Sequence, residues 1–197
     1  MERPHPSQIT YRSSGAVGAD RTVVLLREGS ITIGDPDTSL SSSYGVRLVS
    51  MGMPAVSLSD HEAFGGQTPD EEQSAAVAEL MREQGVSPDR PAGMIALGAV
   101  GWRAAEAAVM MGPAIDRIAF VDVPVPDAPL ARTDVADLLT RLEANLLVVA
   151  GEGEQASADA AWIVEHSEGV RRASAVGTLA DVWSEVLAHV APGARTG

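Results

Sequence analysis

The residues that bear most on chemistry cluster around a turn in the middle of the chain. Met94 to Leu97 form an apolar run, followed by Gly98-Ala99-Val100-Gly101, Trp102 and an alanine-rich stretch to Met111. The run has the character of a strand covered on both faces. The two glycines allow a sharp turn and close backbone approach. The alanine-rich stretch from Ala104 predicts a helix that Gly112-Pro113 stops. The turn holds no hydroxyl, thiol or imidazole. Proton-transferring and ligating side chains lie elsewhere: Glu28 after an early apolar run, His61 beside Asp60, and Glu152 and Glu154 between glycines after a late one. His5, His166 and His189 form no i, i+4 histidine pair, and Glu152, Glu154 and Asp159 lack metal-loop spacing, so no metal site is expected. The chain has no cysteine, which excludes disulfides and thiolate chemistry. Gly98 and Gly101 do not complete G-x-G-x-x-G, Walker A is absent, and no cofactor is expected.

The elements that must position these residues alternate. Strands are predicted at 22–26, 46–51, 93–97, 117–121, 146–150 and 170–176. A weak helix is predicted between Asp35-Pro36 and Gly45, and a long loop from 52 to 67. Thr68-Pro69-Asp70-Glu71 reads as a capping box with proline at the first helical position, opening a helix that Gly85 closes. Val123 to Pro129 reads as irregular. Thr133, Ser157 and Thr178 read as N-caps of three later helices, and Pro192-Gly193 ends the last. Residues 1–20 read as a loose arm from which Gln8–Arg12 adds one edge strand, with Ile9 and Tyr11 on one face. The pattern predicts one α/β domain over 1–197, with a tail at 191–197. It predicts a doubly wound, mainly parallel sheet of six to seven strands in a three-layer sandwich. The 46–51 strand is expected outside 22–26, followed by 93–97, 117–121, the 145–150 strand and 170–176. Leu25, Val49, Ile95, Phe120 and Val148 are expected in central strands.

The strand, glycine turn and helix at 94–109 resemble the nucleophile elbow of the α/β-hydrolase superfamily, in which a strand runs through G-x-S-x-G into a helix. The likeness covers about residues 21–190 and lies chiefly in the order of elements. Aligned on Gly101, the resemblance assigns Leu97 to the first glycine and Ala99 to the nucleophile. Arg27-Glu28-Gly29 stands where the family often has His-Gly-Gly. Ser57 to Gly66 stands at its glycine-rich loop, Glu154 at the triad acid, and Thr178 at the triad histidine. The segment from Val121 to Asn145 is too short for the lid domain of many members. The resemblance therefore implies an α/β-hydrolase-like fold, lidless, with its Ser-His-Asp triad lost. A lone serine at position 99 is expected not to restore hydrolysis, for want of a base.

Two functions follow as expectations. One is a non-catalytic small-molecule-binding or protein-interaction role, with Arg27, Glu28, Gly29, His61, Gly98, Val100 and Trp102 as pocket candidates. Trp102 would either wall off the old pocket or line it. The other is an active hydrolase, esterase-like or lyase-like, with catalytic groups relocated around His61 and Glu28 or Glu154. Simpler readings stand beside each: Ala99 as turn packing, Thr178 as an N-cap, Glu152 and Glu154 as solvated carboxylates, His61 as a surface histidine, and Trp162 and Trp183 as core. Fourteen Lys+Arg against 27 Asp+Glu give a net charge of −13, which opposes nucleic-acid and anionic-membrane partners. A small-molecule or protein partner remains, and a homo-oligomer is compatible. No apolar run approaches the ~18 residues of a membrane span, and the first residues lack a secretory h-region. A cytoplasmic location is expected.

Overall fold

The apolar runs form the interior of one sheet. The computed structural model describes residues 9–15, 19, 21–29, 46–53, 69–167, 171–172 and 179–193. Seven strands make up the sheet: β1 (Thr10–Ser14), β2 (Thr22–Glu28), β3 (Arg47–Met53), β4 (Ala92–Leu97), β5 (Ile115–Val121), β6 (Asn145–Val149) and β7 (Arg171–Arg172). Their order is β1-β3-β2-β4-β5-β6-β7. β1 runs antiparallel to β3 at one edge, and all other pairs are parallel. This is the order expected from the sequence. The N-terminal arm supplies an edge strand, at 10–14 rather than 8–12, and Tyr11 on it is 50% exposed.

Alternation along each strand divides two cores. Val24 and Leu26 of β2, Met94 and Ala96 of β4, Ile118 and Phe120 of β5, and Leu146 and Val148 of β6 face one side. Val23, Leu25, Ile95, Ala119, Val121, Leu147 and Val149 face the other. The first side is covered by α1 (Pro69–Glu83), α2 (Gly101–Met111), α3 (Pro129–Arg141) and α4 (Glu154–Glu165). The second is covered by α5 (Leu179–Val190) through Val182, Trp183, Val186, Leu187 and Val190. Strands buried on both faces need near-continuous apolar sequence, which is why the period-2 signal is weak here.

Helix ends follow local chemistry. Gly85 (φ +82) ends α1: its N–H bonds to the Arg82 carbonyl at 2.9 Å and that of Val86 to Met81 at 3.1 Å, a Schellman pair. Two starts differ from expectation. α3 begins at Pro129 behind an extended Ala128, so Thr133 lies inside the helix and its hydroxyl donates to the Pro129 carbonyl at 3.0 Å. Proline's fixed φ suits the first helical position. α4 begins at Glu154, and Ser157 lies within its first turn, its N–H bonding Gly153 at 3.2 Å. An acidic residue in the first turn complements the helix dipole. The expected caps Thr68 and Thr178, and the expected helix between 35 and 45, lie outside the described residues.

The N-terminal ends of the strands are tied together. Arg21 donates to both carboxylate oxygens of Asp116 and, through Nε, to the Val190 carbonyl at 2.9 Å. His189, 7% exposed, contacts the Asn145 carbonyl through Nε2 at 3.0 Å. A Cβ on Gly93 would lie 2.2 Å from the Val190 carbonyl oxygen, so α5 rests directly on the β4 backbone.

Candidate functional site

Parallel sheets place ligands outside the C-terminal ends of their strands, where the strand order reverses. Here the reversal lies between β2 and β4. β3 flanks β2 on one side, and the chain continues through β4 on the other. The residues at those ends are Glu28 and Gly29 of β2, Leu97 and Gly98 of β4, and Val121 and Asp122 of β5. In register, Leu97 pairs with Val121, and Val121 with Val149. Gly98, Asp122 and Ala150 are thus the first residues beyond three adjacent strand ends.

The expected strand-turn-helix is present and sharper than the sequence implies. β4 ends at Leu97, a 3-10 turn spans Gly98–Val100, and α2 starts at Gly101 rather than Ala104. The residue with unusual backbone is Gly98, at φ +66. An elbow of this kind holds its apical residue in a strained turn between strand and helix. The apex by backbone is therefore Gly98, one residue before the Ala99 picked out by glycine spacing. Ala99 follows in the 3-10 turn and is exposed, while Val100 is fully buried. Among the described residues a Cβ on Gly98 would meet nothing within 4 Å. Neither Gly98 nor Ala99 carries a nucleophilic atom. The start of α2 is pressed against the next loop: a Cβ on Gly101 would lie 2.4 Å from Val123 Cγ2.

Trp102 turns into the layer between helix and sheet. It meets Phe120 edge-on, with centroids 5.8 Å apart at 75°. Its ring packs against the core on the α2 side.

On β2, Arg27 is half-buried and has a partner, whereas Glu28 is exposed. The N–H of Gly29 (φ +87) bonds to the Met53 carbonyl at 2.8 Å, holding the end of β2 on β3. β2 also contacts the Gly98–Val100 turn, which brings Glu28's strand beside the elbow. Glu152 and Glu154 are exposed after β6. His61 and Thr178 lie outside the described residues.

Sequence reasoning passed over Asp122. It is the only non-glycine residue with positive φ among those described, at +53. Its N–H bonds to the Val149 carbonyl at 3.0 Å, and its carboxylate lies over the α-carbon of Gly151. The signal was a lone carboxylate between two buried valines at a strand end.

Among the described residues no group of three or more His, Asp and Glu side chains could hold a metal, and no helix is long and apolar enough to cross a membrane. A cavity of about 410 Å³ lies on the outer helix layer, lined by Glu71, Glu72 and Ala75 of α1, Glu106, Val109 and Met110 of α2, and Arg141 of α3. None of the site candidates among the described residues lines it. The strand ends, where backbone strain and close packing concentrate, are the better candidate. Between β5 and β6 the chain has a loop and α3 alone, with no inserted lid.

No family model matches this chain, and no curated protein does. Solved structures do. The α/β hydrolase enzyme MGS-M2, from a Medee basin deep-sea metagenome library, is similar at TM-score 0.65 and 12% identity, over 91% of each chain. A predicted CIB-like hydrolase from Thermoplasma acidophilum is similar at TM-score 0.65 and 12% identity, over 90% of each. The enol-lactonase from Burkholderia xenovorans LB400 reaches TM-score 0.65 at 13% identity, over 91% of this chain and 94% of that one. Likeness at such identity is likeness of fold. Strand order, the strand-to-helix elbow and these neighbours agree that this chain has the fold of the α/β-hydrolase superfamily.

Proposed function

We propose that this chain uses the hydrolase fold without hydrolytic chemistry, and that it binds a small molecule at the C-terminal ends of β2, β4 and β5. The observation that carries this reading is the elbow apex. Gly98 stands at the positive-φ position and Ala99 follows it, so in either register no side chain can attack a carbonyl carbon. Two further features agree. Glu28 puts an exposed carboxylate at the end of β2, beside the elbow, where an oxyanion would be repelled. Thr178, at the matched histidine position, has no imidazole to serve as general base. Ala99, Glu154 and Thr178 are read as vestiges of a triad. Net charge −13 argues against a nucleic-acid partner, and a cytoplasmic location goes with this reading.

The test is p-nitrophenyl acetate turnover by wild type, Gly98→Ser and Ala99→Ser. All three are expected at the level of a heat-denatured control, because a serine without base or oxyanion donors remains a weak alcohol. Wild-type turnover above that control overturns the reading. Should such turnover vanish in His61→Ala, the chain is an enzyme whose base has moved to His61.

A further inference from the structure

α2 ends in two adjacent methionines with opposite surroundings. Met111 turns into the core and is 8% exposed, whereas Met110 is 44% exposed. Met51, Met53, Met81 and Met94 are fully buried in the same core as Met111. Met1 lies outside the described residues. Met110 lines the cavity on the outer helix layer together with Ala75 and Val109. The remaining lining residues are Glu71, Glu72, Glu106 and Arg141, the last residue of α3. Ionised carboxylates only accept hydrogen bonds. Among the described lining residues, Arg141 is therefore the one whose side chain donates them.

We propose that Met110 is a site of reversible oxidation by hydrogen peroxide, and that its sulfoxide takes Arg141 as hydrogen-bond donor, joining α2 to α3 across the cavity. The thioether sulfur attacks one peroxide oxygen, the O–O bond breaks and an S–O bond forms. The transferred hydroxyl gives its proton to the departing hydroxide, so sulfur loses two electrons and the peroxide becomes water. A thioether needs access to oxidant and no activating base, so burial decides which methionines react. The sulfoxide replaces a flexible apolar side chain and a weak acceptor with a polar group and a strong one. It stands where Ala75 and Val109 otherwise make an apolar patch. The proposal does not depend on what the strand ends bind.

The experiment treats the folded chain with dilute hydrogen peroxide and reads each methionine by fragmentation mass spectrometry. Met110 and Met111 are sequence neighbours, so their ratio isolates burial. Met110 is expected to react at least about tenfold faster than Met111 in the folded chain, and at a similar rate in urea. The Nε–H resonance of Arg141 is expected to move on oxidation of wild type and to stay in place in peroxide-treated Met110→Leu. Methionine sulfoxide reductases of both epimer specificities, with a thiol reductant, are expected to restore the original mass and resonance. The proposal is overturned if Met111 or another core methionine reacts as fast as Met110 in the folded chain. It is overturned equally if the Arg141 resonance does not move, or moves as much in Met110→Leu. Failure of the reductases to remove the oxygen from the folded chain overturns reversibility.

Discussion

The indole N–H of Trp102 donates to the carbonyl oxygen of Pro124 at 2.8 Å. This bond fastens the first turn of α2 to the loop after β5, across the edge-on contact with Phe120. The ring is thereby committed to the layer between helix and sheet. A tryptophan that satisfies its one donor while burying its apolar body has little freedom to swing elsewhere.

Trp102→Phe should keep most of the burial and lose the hydrogen bond, at a cost of about 1 kcal/mol. Trp102→Ala should cost about 3 kcal/mol, at the low end for a large aromatic because the residue is only half-buried. Urea unfolding of both variants measures this. Equal costs would mean that the bond to Pro124, and not ring packing, dominates.

The same junction depends on Gly101. A Cβ there would lie 2.4 Å and 2.6 Å from the two methyl groups of Val123. Valine is stiff at χ1 and is buried here, so it cannot simply turn away. Gly101→Ala should therefore destabilise by about 1–3 kcal/mol, as overpacking does. Val123→Ala in the same chain should recover part of that loss, and a double-mutant cycle should show a coupling of about 1 kcal/mol. Additive effects would show that the loop yields instead.

Most of the fold was legible because its signals are local. The apolar runs at Val23–Leu26, Met94–Leu97 and Leu146–Val149 are long enough to stand out, and the glycines and prolines between them set the alternation from which sheet order follows. Helix starts were less legible. Thr133 and Ser157 carry capping chemistry, but Pro129 and Glu154, each a few residues earlier, also suit a first turn, and packing decided between them. The site was legible only as a location. Glycine spacing points to Ala99, while backbone dihedrals, which spacing does not encode, point to Gly98. Asp122 was missed because its significance lies in a positive φ and in the bare α-carbon of Gly151, 29 positions along the chain.

At the opposite ends of the strands, Arg21 joins β2 to Asp116 on β5 and to the end of α5. The Asp116 side chain is 38% exposed, so solvent screens the pair and Asp116→Asn should cost at most about 1 kcal/mol. Arg21→Ala also abandons the Val190 carbonyl and should cost more, by about 1 kcal/mol. The Asp116→Asn penalty should shrink at high salt. The added cost of Arg21→Ala should persist there, because the bond to a carbonyl is less sensitive to screening. Thermal unfolding at low and high ionic strength checks both.

The position of the elbow apex can be decided by stability alone. At Gly98 the backbone is at φ +66, and among the described residues nothing lies within 4 Å of a Cβ there. The penalty for a side chain there is therefore conformational, about 1–2 kcal/mol for alanine. Asparagine tolerates the same region and should cost less than alanine, although it is the larger residue. Ala99 has negative φ and is exposed, so Ala99→Ser should change stability by no more than about 0.5 kcal/mol. The expected order of loss is Gly98→Ala, then Gly98→Asn, then Ala99→Ser, read from urea midpoints. Steric crowding would reverse the first two, since asparagine is bulkier. If Ala99→Ser costs more than Gly98→Ala, the strained residue is Ala99, the register set by glycine spacing holds, and the apex is not at Gly98.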